Sequence, residues 1–270
     1  MPELPEVETA ARRIEPLLLG RKITAWKLRW KKTLACPTQR TFTRRVIGAR
    51  FREVGRRGKY LDLTLRSKDG ALLHLLIHLR MSGKLETCSS SQPLDKHDHF
   101  LLQLDNHTDF RFNDTRKFGR VYLVEDPNQI THRLGLEPLS DEFSAGWLCS
   151  ALENRTGAIK PLLLGQTLVA GLGNIYVDES LWGAKIHPTT PAKQIPENQI
   201  RTLRHTIRRV LRRAIDNMGT DMGDGVVTYG AFNPVAYGRA GKPCKRCKTE
   251  IERIVVGQRG THYCPKCQMP

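Results

Sequence analysis

Two cysteine pairs near the end of the chain constrain it most: Cys244-Lys-Arg-Cys247, then sixteen residues, then Cys264-Pro-Lys-Cys267. Two CxxC knuckles separated by the length of one β-hairpin supply four thiolates to a tetrahedral zinc ion. With all four positions filled by protein sulfur, no coordination site is left for water. The expected cofactor is therefore one structural Zn2+ that folds the region and does not catalyse. The hairpin between the knuckles displays Arg253, Gln258, Arg259 and His262, either for use or simply as exposed side chains. The remaining cysteines, Cys36, Cys88 and Cys149, read as buried thiols in a reducing compartment, not as a disulfide framework.

The charge points to a partner. Lys and Arg total 44 against 27 Asp and Glu, a net +17, which favours a polyanion, nucleic acid first and an acidic membrane surface second. No apolar run approaches the roughly 20 residues of a membrane span, and Arg12 and Arg13 stand where a signal peptide needs its apolar segment. A cytoplasmic protein with no membrane partner is expected. A length of 270 residues suits one large or two ordinary domains.

Periodicity divides the chain. Val7, Ala10, Ala11, Ile14, Leu17 and Leu18 recur at helical spacing after Pro5 and stop at Gly20, a C-terminal cap. Residues 22–126 then break into short strand-like runs at 22–30, 60–65, 72–79, 100–104 and 120–124, separated by turn residues such as Gly58, Asp69-Gly70 and Ser82-Gly83. This predicts a β-sandwich or barrel-like first domain. The stretch after Pro127, with Gly135, Pro138 and Gly146, reads as a linker. Beyond it Ile200, Leu203, Ile207, Val210, Leu211, Ala214 and Ile215 form the apolar stripe of a helix that also carries Arg201, Arg204, Arg208, Arg209, Arg212 and Arg213. Those arginines form either a solvated face or a phosphate contact. Residues 219–230, with four glycines, read as a mobile loop.

Several short motifs carry chemistry. If Met1 is removed, Pro2 becomes a secondary amine beside the Glu3 carboxylate. A terminal amine titrates near about 8, against about 10.4 for lysine, so a useful fraction is an uncharged nucleophile at neutral pH. Its adduct with an aldehyde-level carbon is an iminium, an electron sink for elimination. The alternative is a stiff terminus whose acids complement a helix dipole. Gly171-Leu-Gly173-Asn174-Ile-Tyr176 lacks the third glycine of a dinucleotide fingerprint and reads better as a turn feeding a helix that starts near Tyr176. Asp178 and Glu179 would then fall in its first turn, and the turn either holds a phosphate or is structural. Met81, Arg116 and Phe118 lie in glycine-bounded turns, as wedges into a base stack or as core packing. His97-Asp98-His99 straddles the two faces of a strand start, which suits hydrogen bonding or phosphate contact better than metal binding.

Taken together, these residues resemble the formamidopyrimidine-DNA glycosylases, bacterial base-excision repair enzymes. The resemblance runs through Pro2-Glu-Leu-Pro-Glu-Val-Glu8, Gly58-Lys59-Tyr60, His78-Leu-Arg-Met-Ser-Gly83, Lys96-His-Asp-His99, Arg116-Lys-Phe-Gly119, Gly171-Leu-Gly-Asn-Ile-Tyr176, Ile186-His-Pro188, Tyr237-Gly-Arg239 and the cysteine hairpin. It implies an α+β chain: an N-terminal helix with a β-sandwich over residues 1–130, a linker over 131–150, a helical helix-two-turn-helix domain over 151–235 and a zinc finger over 236–270.

The resemblance also implies roles. Pro2 is the expected nucleophile at sugar C1′, Glu3 the acid that opens the sugar ring, Lys59 the proton-transfer group of β-elimination and Arg259 the arginine of δ-elimination. His97, Arg116, Arg155, Lys160 and Asn174 fall at positions used against DNA, with arginine at 155 where lysine is frequent. Met81, Arg116 and Phe118 match the set that fills the hole left by a flipped base and wedges the opposite strand. The sister endonuclease VIII group, which prefers oxidised pyrimidines, usually lacks that set and the Glu-Leu-Pro-Glu start. The expectation is a monomeric, nucleoid-associated glycosylase and lyase acting on duplex DNA with oxidised purines or abasic sites. The alternatives are an endonuclease VIII-like pyrimidine enzyme and a non-catalytic zinc-finger DNA-binding protein. One departure is that the stretch between Gly219 and Tyr237 is shorter and richer in glycine than the family's base-capping loop.

Overall fold

Pro5 and a reciprocal capping box start the first helix, α1 (Leu4–Leu18): the Glu3 side chain accepts from the Glu6 backbone, and the Glu6 carboxylate accepts from the Glu3 N–H at 2.8 Å. Val7, Ala11, Ile14 and Leu18 bury one face, and Gly20 at φ 75° closes the helix as the sequence predicts. In this computed structural model the described residues are 1–221 and 230–269. The central part of the expected glycine-rich, base-capping loop, 222–229, lies outside them.

The chain forms two units, residues 1–132 and residues 133–220 with 231–269. In the first, α1 is followed by β1 (Ile23–Leu28), β2 (Leu34–Cys36), α2 (Gln39–Val46), β3 (Arg50–Arg57), β4 (Tyr60–Arg66), β5 (Leu72–His78), β6 (Gly83–Ser89), β7 (Asp98–Leu104), β8 (Thr108–Asp114) and β9 (Arg120–Val124). The strands make a four-stranded sheet ordered β1-β7-β8-β6 and a five-stranded sheet ordered β2-β9-β5-β4-β3. Leu61, Leu63 and Leu65 alternate inward from β4 and meet Phe100 and Leu102 of β7 and Phe110 and Phe112 of β8 in one core that also takes the apolar face of α1. This is the expected β-sandwich.

The second unit begins with short helix α4 (Ala145–Leu152), which follows α3 (Asn128–Thr131) of the first unit. It continues with α5 (Ile159–Leu164), α6 (Asn174–Ala184) and α7 (Glu197–Asp216) and ends in the hairpin β10 (Glu252–Val256) and β11 (Arg259–Tyr263). Part of the 131–150 stretch is docked in this unit: Phe143 is fully buried, and its carbonyl accepts from Arg204 Nε at 2.8 Å. An apolar run of this length carries too few turns for periodicity to reveal a helix. Helix α6 is buried nearly all round and starts two residues before Tyr176, because Gly173, with extended backbone, takes the N-cap position. Among the described residues, no helix is long and apolar enough to cross a membrane.

Candidate active site and nucleic-acid interface

Strand register in the first unit gathers the predicted residues at one end of the sandwich. The β3–β4 turn holds Gly58 and Lys59, and Tyr60 pairs with His78 at the end of β5, which pairs in turn with Arg120 at the start of β9. In the other sheet Gly83 pairs with Asp114 and Asp98 with Asn113 at the matching ends. The segments carrying Lys59, Met81, His97 and Arg116 to Phe118 therefore leave the sheets together. Helix α1 reaches this end too. Its C-terminal side meets the start of β3 through Gly20 N to Phe51 O, whereas Glu8 meets the end of β3 through Arg56 Nε at 3.0 Å. The helix thus points its N-terminus, with buried Pro2 and Glu3, toward the Gly58-Lys59 turn.

Asp114 ties two of these segments to each other. Its buried carboxylate accepts from Ser82 Oγ at 2.6 Å, from Arg116 N at 3.2 Å and from Gly119 N at 2.7 Å. The Phe112 ring fills the space beneath: a Cβ would stand 2.6 Å from it at Gly83 and 2.2 Å from it at Gly119. Arg80 and Lys117, immediately before Met81 and Phe118, adopt left-handed φ of 57° and 60°. Such conformations persist in non-glycine residues when the surroundings over-determine them, and the one at Lys117 precedes an exposed Phe118. Phe118 is 48% exposed, with the Arg116 guanidinium 5.1 Å from its ring centre, and Met81 is half-buried. Core packing therefore does not account for Phe118. His97 is half-buried, its N–H held by Asp95 and its ring against His99.

His78 belongs to the same end. Burial, reinforced by the Arg80 and Lys59 charges, pushes its pKa down to about 3, and its Nδ1 accepts from Arg80 N at 3.0 Å. The ring is thus a neutral acceptor beside a lysine that is itself mostly buried. In the sequence this histidine stands out only as part of the His78-Leu-Arg-Met-Ser-Gly83 motif.

In the second unit the turn before α6 has its own brace. Gln166 Oε1 accepts from Gly171 N at 2.9 Å, while its Nε2 donates to the Leu164 and Leu172 carbonyls. Asn174 does not project freely: its Nδ2 donates to Gly260 O of the hairpin at 2.9 Å. Arg259 is exposed beside Gly257-Gln258, a two-residue turn whose φ values of 55° and 62° fit a type I′ hairpin. Arg155 is exposed on the segment after α4.

Lys160 corrects the expectation of direct contact. It is fully buried, 2.6 Å from Asp178 Oδ1 and 3.3 Å from Gly260 O, so its charge acts inside the unit. Asp178 also accepts from His262 N at 2.9 Å. Glu179 accepts from the backbone N–H groups of Val235, Ala236 and Tyr237, and burial pushes its pKa up. Because α6 starts at Asn174, these two acids lie past its first turn, where they anchor chain segments. The available sign was a helix with hardly any polar face, on which a carboxylate has to find an internal partner.

The four cysteines converge. One sulfur from each of Cys244, Cys247, Cys264 and Cys267 lies within 4.8 Å of all the others, and Cys247 and Cys264 sulfurs are 3.4 Å apart. Zn–S bonds of about 2.3 Å place tetrahedral sulfurs about 3.8 Å apart, so the set fits zinc. Burial pushes the Cys264 thiol up to about 12, so four thiolates together need a dication to offset their charge. Trp182 Nε1 donates to Cys244 Sγ at 3.4 Å, joining α6 to the cluster.

Known proteins match this arrangement from end to end. Residues 1–121 match the formamidopyrimidine-DNA glycosylase N-terminal domain, 134–224 its H2TH domain and 241–268 the zinc finger found in FPG and IleRS. A formamidopyrimidine-DNA glycosylase of Chloroflexus aurantiacus is 46% identical, covering 100% of this chain and 98% of the relative. The chain belongs to the formamidopyrimidine-DNA glycosylase family. It is a DNA glycosylase with one structural zinc, in a family that combines base removal with abasic-site lyase activity. Two Lactococcus lactis Fpg structures, each covering 100% of both chains at 36% identity, have TM-scores of 0.91 and 0.92. The first is a complex with DNA containing an oxidised pyrimidine, the second with DNA containing N7-benzyl-Fapy-dG.

Proposed function

We propose that this family member removes oxidised purines, 8-oxoguanine and formamidopyrimidines, from duplex DNA and then cleaves the strand by β- and δ-elimination. The observation that carries the reading is the gathering of Pro2, Glu3, Lys59, Met81, Arg116 and Phe118 at one end of the β-sandwich, with three loop N–H or O–H groups fixed by Asp114. After removal of Met1, the Pro2 nitrogen attacks C1′ and the base departs. Glu3 delivers a proton to the ring oxygen, and the sugar opens as an iminium on Pro2. Lys59 moves the C2′ proton, which expels the 3′ phosphate. Arg259 serves the second elimination, which expels the 5′ phosphate and leaves a one-nucleotide gap. Met81, Arg116 and Phe118 replace the extruded nucleotide in the stack. His97, Arg155 and Asn174 meet phosphates. The acting species is a monomer on the bacterial nucleoid.

A pyrimidine reading has one observation in its favour, the oxidised-pyrimidine DNA held by the Lactococcus relative. Cleavage of matched duplexes decides between them. The purine reading expects faster cutting at 8-oxoguanine than at thymine glycol, with phosphate at both ends of the gap; the reverse order would overturn it.

A further inference from the structure

Helix α7 carries Arg201, Arg204, Arg208, Arg209, Arg212 and Arg213, and the proposed chemistry uses none of them. Four have protein partners, among them Arg213, whose guanidinium lies 5.8 Å from the Phe232 ring centre. Arg201 pairs with Glu197, Arg204 Nε donates to Phe143 O, and Arg208 Nη1 donates to Ser140 O with the Asp141 carboxylate 3.9 Å away. Arg209, Arg212 and Arg213 are exposed, on the side of α7 opposite the buried stripe of Ile200, Leu203, Ile207 and Leu211. Together with Arg204, His205 and Arg208 they line an open groove of about 420 Å³, in which Asp216 is the one lining carboxylate. Desolvation, with the Arg204 and Arg212 charges beside it, pushes the Arg208 pKa down, so cations are crowded here beyond their counter-charge.

The groove is separate from the Asn174 turn. A Cβ on Gly183 would lie 3.5 Å from Arg209 Nη2, which puts Arg209 over the C-terminal end of α6. Asn174 begins that helix, about 13 Å away along its axis at 1.5 Å per residue. From Arg204 to Arg213 the row also runs about 13 Å, the axial distance occupied by about four phosphates of one DNA strand. A row of this length suits a nucleic-acid backbone better than a single small anion.

We propose that the α7 arginine groove binds the phosphate backbone of a second, undamaged duplex segment while the damaged duplex is engaged through the residues described above. The inference rests on the proposed function only in taking duplex DNA as the ligand. A second grip of this kind lets the protein hold one segment while it samples another.

The zinc-loaded full chain, saturated with a short unlabelled duplex carrying an uncleavable abasic analogue, is titrated with a labelled undamaged duplex at several salt concentrations. Wild type is expected to capture the second duplex. Arg209→Gln/Arg212→Gln should weaken that capture about tenfold or more and make the log K against log salt slope shallower by about two. Cleavage of a short 8-oxoguanine duplex should be unchanged. Arg40→Gln/Arg44→Gln, which removes the same charge from α2, should leave capture intact. No capture by wild type, equal capture by the α7 variant, or an equal loss in the α2 variant would overturn the proposal. Capture of the second duplex without any cleavage by wild type would sink the proposed activity and leave the groove standing.

Discussion

Lys160 Nζ lies 2.6 Å from Asp178 Oδ1, and neither side chain is exposed to solvent. The pair connects α5 to α6. Through Gly260 O and His262 N it also fixes β11, the strand that begins with Arg259. Removing one member leaves a buried charge without its partner. Lys160→Met should therefore cost about 3–5 kcal/mol of stability, read from the shift in urea midpoint. A loss below about 1 kcal/mol would show that the pair does not hold the hairpin.

Asp114 should matter for lesion recognition out of proportion to its distance from the chemistry. In Asp114→Ala the Ser82 hydroxyl and the Gly119 N–H lose their acceptor, the Arg116 N–H keeps only Ser82 Oγ, and the segments bearing Met81 and Phe118 lose the carboxylate that ties them together. A misplaced wedge should lower kcat/KM on a lesion duplex by about a hundredfold, with zinc content and undamaged-duplex affinity little changed. Equal losses on damaged and undamaged DNA would point to general unfolding.

His78 gives the sign of one pH effect. Its folded pKa is about 3 against an ordinary 6.5, so between those values the unfolded chain takes up a proton that the folded chain refuses. Stability should fall as pH drops from 6.5 toward 3, and above 6.5 this group should contribute no slope. His78→Gln should flatten that part of the urea-midpoint profile. A profile identical to wild type would mean that the ring is protonated in the folded protein.

The residues that were legible in the sequence are those whose reason is local. The cap at Gly20 and the cysteine knuckles each depend on neighbours within a few positions, and each sits where spacing put it; the capping box at Glu3 and Glu6, where the sequence offers only acids at a helix start, is a finding of the structure. Asp114 and Ser82 are 32 residues apart, and Asp178 and His262 are 84 apart, so nothing in either local pattern announces the bond. Burial changes the meaning of a charged residue: neither the resemblance that implies DNA contact for Lys160 nor the pattern that puts Asp178 and Glu179 in the first turn of a helix reveals that all three face inward. The start of α6 was displaced for a related reason. Gly173 caps the helix with its backbone alone, leaving no Ser, Thr or Asp to mark it.

Zinc should act on structure. Cys247→Ala, or removal of the metal by a chelator, should unfold the β10–β11 hairpin and abolish DNA binding together, while the β-sandwich keeps its far-ultraviolet signal. A metal-free protein with full cleavage activity would contradict the structural assignment.

The central claim is that Pro2, freed of Met1, is the nucleophile. Borohydride reduction during reaction with an 8-oxoguanine duplex, combined with the mass of the protein's N-terminus, tests it most directly. Wild type should begin at Pro2 and give a stable covalent complex with DNA attached to that residue, and Pro2→Gly should give none. Equal trapping by both proteins, or trapping by a protein that keeps Met1, would contradict the account.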